Sequence, residues 1–488
     1  MGREGGKGEV GWDGNHMSFL PELLLLVLAL LILALDLILP RERRALLGWL
    51  TAVGAAGILV VALLEIPAAQ AGASVGTLQT DALAFFFRAV VLVGAAIAAL
   101  MSIDSEGVGR RGEYYALMLF SALGMCLMVS ASDLVMLALA IEMTTIPLYV
   151  LAGFLKRDSR STEAGMKYFL FGATASAVMW YGFSLIYGLT GQTDLRAAAI
   201  ALEGNSLPAM ILAIILVLVG LGFKVSIVPF HFWAPDVYEG APAPVAAFIS
   251  TASKAAGFAV LARLLLAVFA PASALYWGAL VSVLAAATMT LGNLLALAQK
   301  NLKRLLAYSS IAHAGYALIG LATLNPNGLA ATAEYLLTYA LANLAAFALV
   351  VLISNVAGSD DLTALAGLSR RSPGAALAML VAFLSLAGMP PFALFSAKFF
   401  LLASAVEANL TGLAAIAAVN SVIGLYYYLS VLKAVFVFRS EQEQTPFSFP
   451  PALRLAIGIA VGGLLLLGVI ISPWFEAALR AVRPLFPG

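Results

Sequence analysis

Long apolar runs separated by short polar segments fill this chain. A helix needs about twenty apolar residues to cross the hydrocarbon core of a bilayer. At that window the sequence predicts about fourteen helical spans, at 18–39, 45–66, 81–102, 112–131, 133–154, 161–190, 206–238, 243–269, 274–298, 303–323, 327–356, 373–404, 410–438 and 451–472. Strand patterning is absent, and an open sheet edge could not be satisfied in lipid. The expected fold is an all-α polytopic membrane protein with a single membrane domain over 18–488. The segment before it, MGREGGKGEVGWDGNH with Met17, is Gly-rich and polar and predicts a flexible tail over 1–17. The run after Met17 is too long for a signal peptide and lacks a small-residue cleavage site, so it predicts a retained span.

Two spans are interrupted in the same style. The seventh, in GLGFKVSIVPFHFWAPDVYEGAPAPV, breaks near Pro229. The twelfth, in LSLAGMPPFALFSAKFF, breaks at Pro390 and Pro391. They lie five spans apart. Because five is odd, two successive five-helix units sit upside down relative to each other, the pattern of an inverted-repeat transporter. The expected division is spans one to three over 18–102, a first repeat over 112–269, a second over 274–438, and a last span at 451–472. This repeat comes from helix counting, since the two halves share little identity.

Composition narrows the class further. Of 488 residues, 62% are hydrophobic and 11% charged, and the formal net charge is +1. A soluble domain is usually about a quarter charged, and no Lys/Arg run suits a nucleic-acid backbone. The lone Cys126 excludes a disulfide framework and an iron–sulfur spacing. No GxGxxG or GKS/T loop is present, so any redox chemistry belongs to other chains. The basic residues are one-sided. Arg41, Arg43, Arg44, Arg110, Arg111, Lys156, Arg157, Arg160, Lys300, Lys303, Arg304, Arg370, Arg371 and Arg439 follow odd-numbered spans, whereas the opposite loops carry Arg196. That asymmetry predicts odd-to-even loops in the cytoplasm and both termini outside.

An ionisable group at the bilayer centre costs several kcal/mol unless paired or hydrated, so each such group is a candidate for function. They are Glu142 in the fifth span, Lys224 in the seventh, Lys254 in the eighth, His313 in the tenth and Lys398 in the twelfth, with His231 beside the first break. One acid, three lysines and two histidines can form a proton chain, and a Glu142–Lys224 pair can act as its switch. Static structural ion pairs are the alternative for Glu142, Lys224 and Lys254. His313 reads equally as a core histidine bonded to Ser309, Ser310 or a carbonyl, and His231 as packing beside the break. The prolines free backbone carbonyls inside the membrane, and these attract water. Asp36, Arg88, Asp133, Arg263 and Lys433 lie nearer span ends, where snorkelling or local pairing is expected. Glu334 and Glu407 also read as terminal, and Tyr426, Tyr427 and Tyr428 as packing or interface residues.

FKVSIVPFHFWAPDVYEGAPAPVAAFISTASKAAGF resembles the core of the antiporter-like subunits of respiratory complex I and of the related multisubunit cation/proton antiporters. These share a lysine, then P-x-H-x-W-x-P-D, then a lysine on the next span. PDVYEGAP, TASK and YSSIAHAGY bring the chain closest to the N-type branch, and the likeness runs from about residue 18 onward. The resemblance implies that Glu142 and Lys224 are the family's glutamate–lysine pair, Lys254 its central-axis lysine and Lys398 the twelfth-span lysine. His231 and His313 would fall at polar positions along a hydrated axis. It also implies proton translocation driven by electron transfer from NADH to quinone in other subunits, with FMN and iron–sulfur clusters there and no cofactor or metal in this chain. The implied partners are other membrane subunits and lipid, with no nucleic acid, and the implied location is the bacterial inner membrane. A sodium/proton antiporter subunit is the alternative. PPFALFSAK departs from the family's P-x-x-x-G-F-x-x-K by lacking the glycine.

Overall fold

The computed structural model describes residues 19–64, 73–203, 206–269, 273–439 and 449–486; the expected tail at 1–17 lies outside them. The helices are α1 (Leu20–Ile38), α2 (Ala45–Leu64), α3 (Ala82–Ile103), α4 (Gly112–Ser130), α5 (Leu134–Ala152), α6 (Ser159–Thr190), α7 (Leu195–Leu202), α8 (Leu207–Val225) and α9 (Trp233–Gly240). There follow α10 (Ala243–Val268), α11 (Ala274–Ala296), α12 (Leu302–Ala322), α13 (Pro326–Ala357), α14 (Pro373–Ala387), α15 (Ala393–Glu407), α16 (Thr411–Phe436), α17 (Pro451–Val469) and α18 (Ser472–Val482). Among the described residues, 13 helices are long and apolar enough to cross a membrane. The twelfth span is interrupted at the expected place and consists of two shorter helices, α14 and α15; the chain is a multi-pass membrane protein. One expectation of no strands fails locally: Ala73–Val75 pairs antiparallel with Leu78–Thr80 across Gly76, whose φ of 60° allows the tight turn.

Short polar side chains set where the helices begin. Asp81, Asp133, Asp158, Asp194, Asn301 and Asn325 each accept a hydrogen bond from a backbone N–H one turn or less ahead, satisfying donors that lipid could not. The loops gather at two ends in the alternating order read from the sequence. At one end Asp36 pairs with Arg44 and accepts from Gly112 N–H, Asn355 donates to the Asp104 carbonyl, and Lys303 pairs with Asp360. At the other, Arg263 forks onto Asp81 and the Asp133 and Asp194 backbones bridge. The charge asymmetry is less strict than expected. After α17 the chain turns into α18; its Arg480, and Arg483 just beyond it, line a cavity of about 720 Å³ with Arg196 and Asp81 at the sparsely charged end.

The two breaks have the same backbone pattern. Helix α8 stops at Ser226, φ 61°, with Ile227 N–H bonded back to Gly222 and Phe230 N–H to Ile227. Helix α14 stops at Gly388, φ 78°, with Met389 N–H bonded to Leu384 and Phe392 N–H to Met389. Each is a left-handed cap closed by a six-to-one bond, which satisfies a terminal carbonyl without further helix. Proline then follows in both, at Pro229 and at Pro390–Pro391, and the peptides before Pro229 and Pro391 are cis. Around these breaks α10, α12 and α13 form the buried axis of the molecule, while α1 and α2 lie at its edge.

Candidate functional site

The three expected lysines lie buried along this axis: Lys224 on the last turn of α8, Lys254 inside α10 and Lys398 on α15. Lys254 follows a π-helical turn at Ile249–Ser253, a rare geometry that shifts side-chain register and recurs at functional sites. Its ammonium donates to the Ser310 carbonyl at 2.8 Å and the Ser310 hydroxyl at 2.6 Å. Among the described residues no carboxylate pairs with Lys254, and α12 supplies neutral oxygens instead.

Lys224 lies within range of the Glu142 charge, yet the two do not touch. The Glu142 carboxylate accepts from the Ser176 hydroxyl of α6 at 2.7 Å. The Lys224 Nζ meets no hydrogen-bond partner among the described residues. Gly257 of α10 lets the helices close on this lysine; a Cβ there would fall 3.1 Å from Lys224 Cγ and 2.8 Å from Val225 Cγ1. The Tyr238 hydroxyl is buried near Ser226 and Ser310 and makes no hydrogen bond among the described residues.

His313 does not bond to Ser309 or Ser310 as a core histidine was expected to. Its Nδ1 meets the Tyr335 hydroxyl at 2.6 Å and its Nε2 the Tyr428 hydroxyl at 3.0 Å. Tyr428 also meets Ser309 at 2.5 Å, and Tyr427 donates to Asn293, which donates onward to Asn420. A hydroxyl both donates and accepts, so the imidazole sits inside a chain of groups able to pass a proton. It is near enough to Lys254 and Lys398 to feel both charges.

Lys398 reaches back across the second break. Its ammonium donates to the Leu386 and Ala387 carbonyls, both at 3.2 Å, and lies 4.8 Å over the Tyr316 ring. These are the carbonyls the proline break set free, so a lysine occupies the place expected to draw water. At the first break the Phe223 carbonyl is taken by the Trp233 indole at 3.1 Å. The missing glycine of PPFALFSAK is no obstacle, because Gly388 already supplies the left-handed turn. His231 sits apart from this row. It is buried, its Nδ1 meets no hydrogen-bond partner among the described residues, and its ring packs against Phe232 at 4.5 Å.

Several residues were misread from the sequence. Tyr427 and Tyr428 belong to the polar axis, and only Tyr426, 67% exposed, faces outward. Glu334 is 1% exposed rather than terminal. Of the two outcomes expected for Arg88 near a span end, the structure shows pairing, with Glu22 at 2.7 Å between α3 and α1. The acids of PDVYEG have a definite place: Asp236 and Glu239 both meet Arg304 of α12, at 2.7 and 2.9 Å, and Asp236 meets Lys167 of α6 at 2.6 Å. Burial works to raise the Asp236 pKa, but hydrogen bonds from Lys167 and Arg304 outweigh it and hold the carboxyl below its ordinary range. Among the described residues no group of three His, Cys, Asp or Glu could hold a metal ion.

The chain is similar to known proteins over nearly its whole length. A family model described as NADH:quinone oxidoreductase/Mrp antiporter, TM, matches residues 131–424. NADH-quinone oxidoreductase subunit N of Desulfovibrio desulfuricans is 44% identical over 92% of this chain and 93% of its own length. That of Trichlorobacter lovleyi is 41% identical over 96% and 97%. A chain of respiratory complex I from Thermus thermophilus superposes with a TM-score of 0.81 at 39% identity, covering 94% of this chain and 99% of that one. A chain of the Mrp complex from Dietzia shares the fold, with a TM-score of 0.85 at 22% identity and coverage of 96% and 97%. With more than half the chain inside one family model and close relatives along its length, this protein belongs to the NADH:quinone oxidoreductase/Mrp antiporter transmembrane family.

Proposed function

We propose that this chain carries protons across the bacterial inner membrane, as an antiporter-like subunit of the membrane arm of an NADH–quinone oxidoreductase. Its relatives bear that complex's name, and it packs with other membrane subunits. Electrons pass from NADH to quinone through FMN and iron–sulfur clusters on other chains; this chain supplies no redox centre. The basic loops face the cytoplasm and both termini face outward. Residues 112–269 and 274–438 act as inverted repeats, a reading supported by the identical bonding of the breaks at Ser226 and Gly388.

The observation that carries the proposal is the row of buried protonatable groups with hydroxyls between them. Glu142 rests on Ser176 and not on Lys224. Bringing the two charges into contact at about 4 Å is worth about 4 kcal/mol at an effective dielectric near 20, enough to decide where the proton resides. With Glu142 on Ser176, the Lys224 ammonium is unsupported and gives up its proton toward Tyr238 and Ser310. Lys254 takes it and passes it through the tyrosines around His313 to Lys398. Each lysine alternates between ammonium and amine, and each hydroxyl takes one proton as it gives another. His231 adds a polar wall at the first break.

Lys224→Ala and Glu142→Ala in the complete complex are each expected to lower NADH-driven proton pumping while assembly stays intact. Normal pumping by both variants removes the switch.

A further inference from the structure

The row of carriers ends at Lys398 and His313, and one buried acid outside it has no assigned work. We propose that Glu334 is the proton-release group of the outer half of the path, receiving the proton that leaves Lys398 and giving it to water at the outer face. This rests on the proton path proposed above.

Glu334 is 1% exposed, and its Oε2 meets no donor among the described residues. A buried carboxylate without a partner is penalised by several kcal/mol when ionised, whereas an apolar side chain of similar volume would pack there without that cost. Its position is that of a last carrier. Helix α13 begins at Pro326 at the outer end, and Glu334 lies roughly 12 Å along it at 1.5 Å per residue. Next to it, Tyr335 holds His313.

The two residues look in different directions. Tyr335 and Tyr339 face His313 across the α12 seam. That seam is shut toward the outer end, because Gly320 and Gly328 meet backbone to backbone: a Cβ on Gly320 would fall 2.0 Å from the Gly328 carbonyl. Glu334 points about 100° round the helix from Tyr335. It shares a face with Leu341, which packs on Gly463 of α17. Helix α15, the helix of Lys398, runs along α13, and α18 packs on α13 and reaches α15 through its Phe475 ring, 4.7 Å from Phe400. Trp474 of α18 keeps a buried indole N–H without an acceptor among the described residues. An unpaired acceptor and an unpaired donor thus lie on two helices that pack together at the outer end.

The step balances simply. The Lys398 ammonium loses a proton and becomes an amine, and the Glu334 carboxylate becomes a carboxylic acid. That acid releases its proton to outer water, and Lys398 is recharged from the Lys254 side.

The test uses the complete complex in sealed vesicles, with protons pumped per NADH oxidised as the readout and Lys224→Ala as reference. Glu334→Gln keeps shape but cannot carry a proton, and should slow this step about 100-fold, the low end of what a positioned acid or base contributes. Pumping should fall to the Lys224→Ala level, while Glu334→Asp keeps most of it. A turnover-dependent infrared carboxyl C=O band should vanish in Glu334→Gln. Wild-type pumping by Glu334→Gln beside a defective Lys224→Ala overturns the role of Glu334 and leaves the path standing. Wild-type pumping by both overturns the path and this inference with it. If Glu334→Gln does not assemble, Glu334→Leu takes its place; failure of both to assemble makes the residue a packing element and overturns the proposal.

Discussion

Gly388→Ala probes the second break where backbone and charge meet. Gly388 ends α14 at φ 78°, a conformation that costs an L-residue roughly 1–2 kcal/mol. The new methyl would also stand 2.8 Å from Lys398 Cδ and 3.2 Å from its Nζ. No Cβ tolerates the shorter contact, and the lysine stem is the part free to yield. Moving it draws the ammonium off the Leu386 and Ala387 carbonyls. A hydrogen bond from a charged donor is worth about 1.5–3 kcal/mol, so losing one weakens the hold on this charge by about tenfold to a hundredfold. The substitution should therefore destabilise the chain by about 3–5 kcal/mol with Lys398 present. In a Lys398→Met background only the backbone strain of roughly 1–2 kcal/mol should remain. Unfolding of the four purified complexes gives the coupling, and pumping in vesicles gives the functional effect. If the two substitutions add to within about 0.5 kcal/mol, Lys398 is not anchored by these carbonyls. If assembled Gly388→Ala complex pumps like wild type, the placement of this charge does not govern transport.

Tyr428→Phe removes the hydroxyl that joins His313 to Ser309; it should lower pumping at a stability loss of about 1 kcal/mol, while Tyr426→Phe on the exposed face leaves both unchanged, and equal behaviour of the pair refutes a relay through His313. Asp236→Asn tests the cluster of Asp236 with Lys167 and Arg304. Because the folded pKa of Asp236 is depressed, its contribution is complete above the unfolded value of about 4 and fades as pH falls through the lower folded value. The deficit of Asp236→Asn, at most about 1 kcal/mol for a group this exposed, should be visible at pH 7 and shrink on acidification. A deficit that grows as pH falls contradicts the assignment. Copurification with subunits bearing iron–sulfur motifs is expected; recovery with only small membrane chains favours the cation/proton antiporter.

The local chain determined much of this protein by itself. Apolar runs of bilayer length specify helices because lipid leaves the backbone no other partner. Pro229 and Pro390–Pro391 interrupt them for the same local reason, since proline lacks the N–H a helix needs. Isolated charges such as Lys224, Lys254 and Lys398 stand out because their transfer into hydrocarbon is so unfavourable. Tertiary structure alone decided what those charges meet. Helices apolar on every side carry no signal of which face turns inward. Tyr426 and Tyr428 look alike in sequence, yet one faces outward and the other holds His313. Glu334 read as terminal because its depth depends on α18 folding back over α13. The Lys398 ammonium lies on the Leu386 and Ala387 carbonyls only because the break turns α15 back against α14. Hydropathy measures the transfer of a segment into lipid; partners across helices are set by rotation and close approach, which depend on residues far away in the chain.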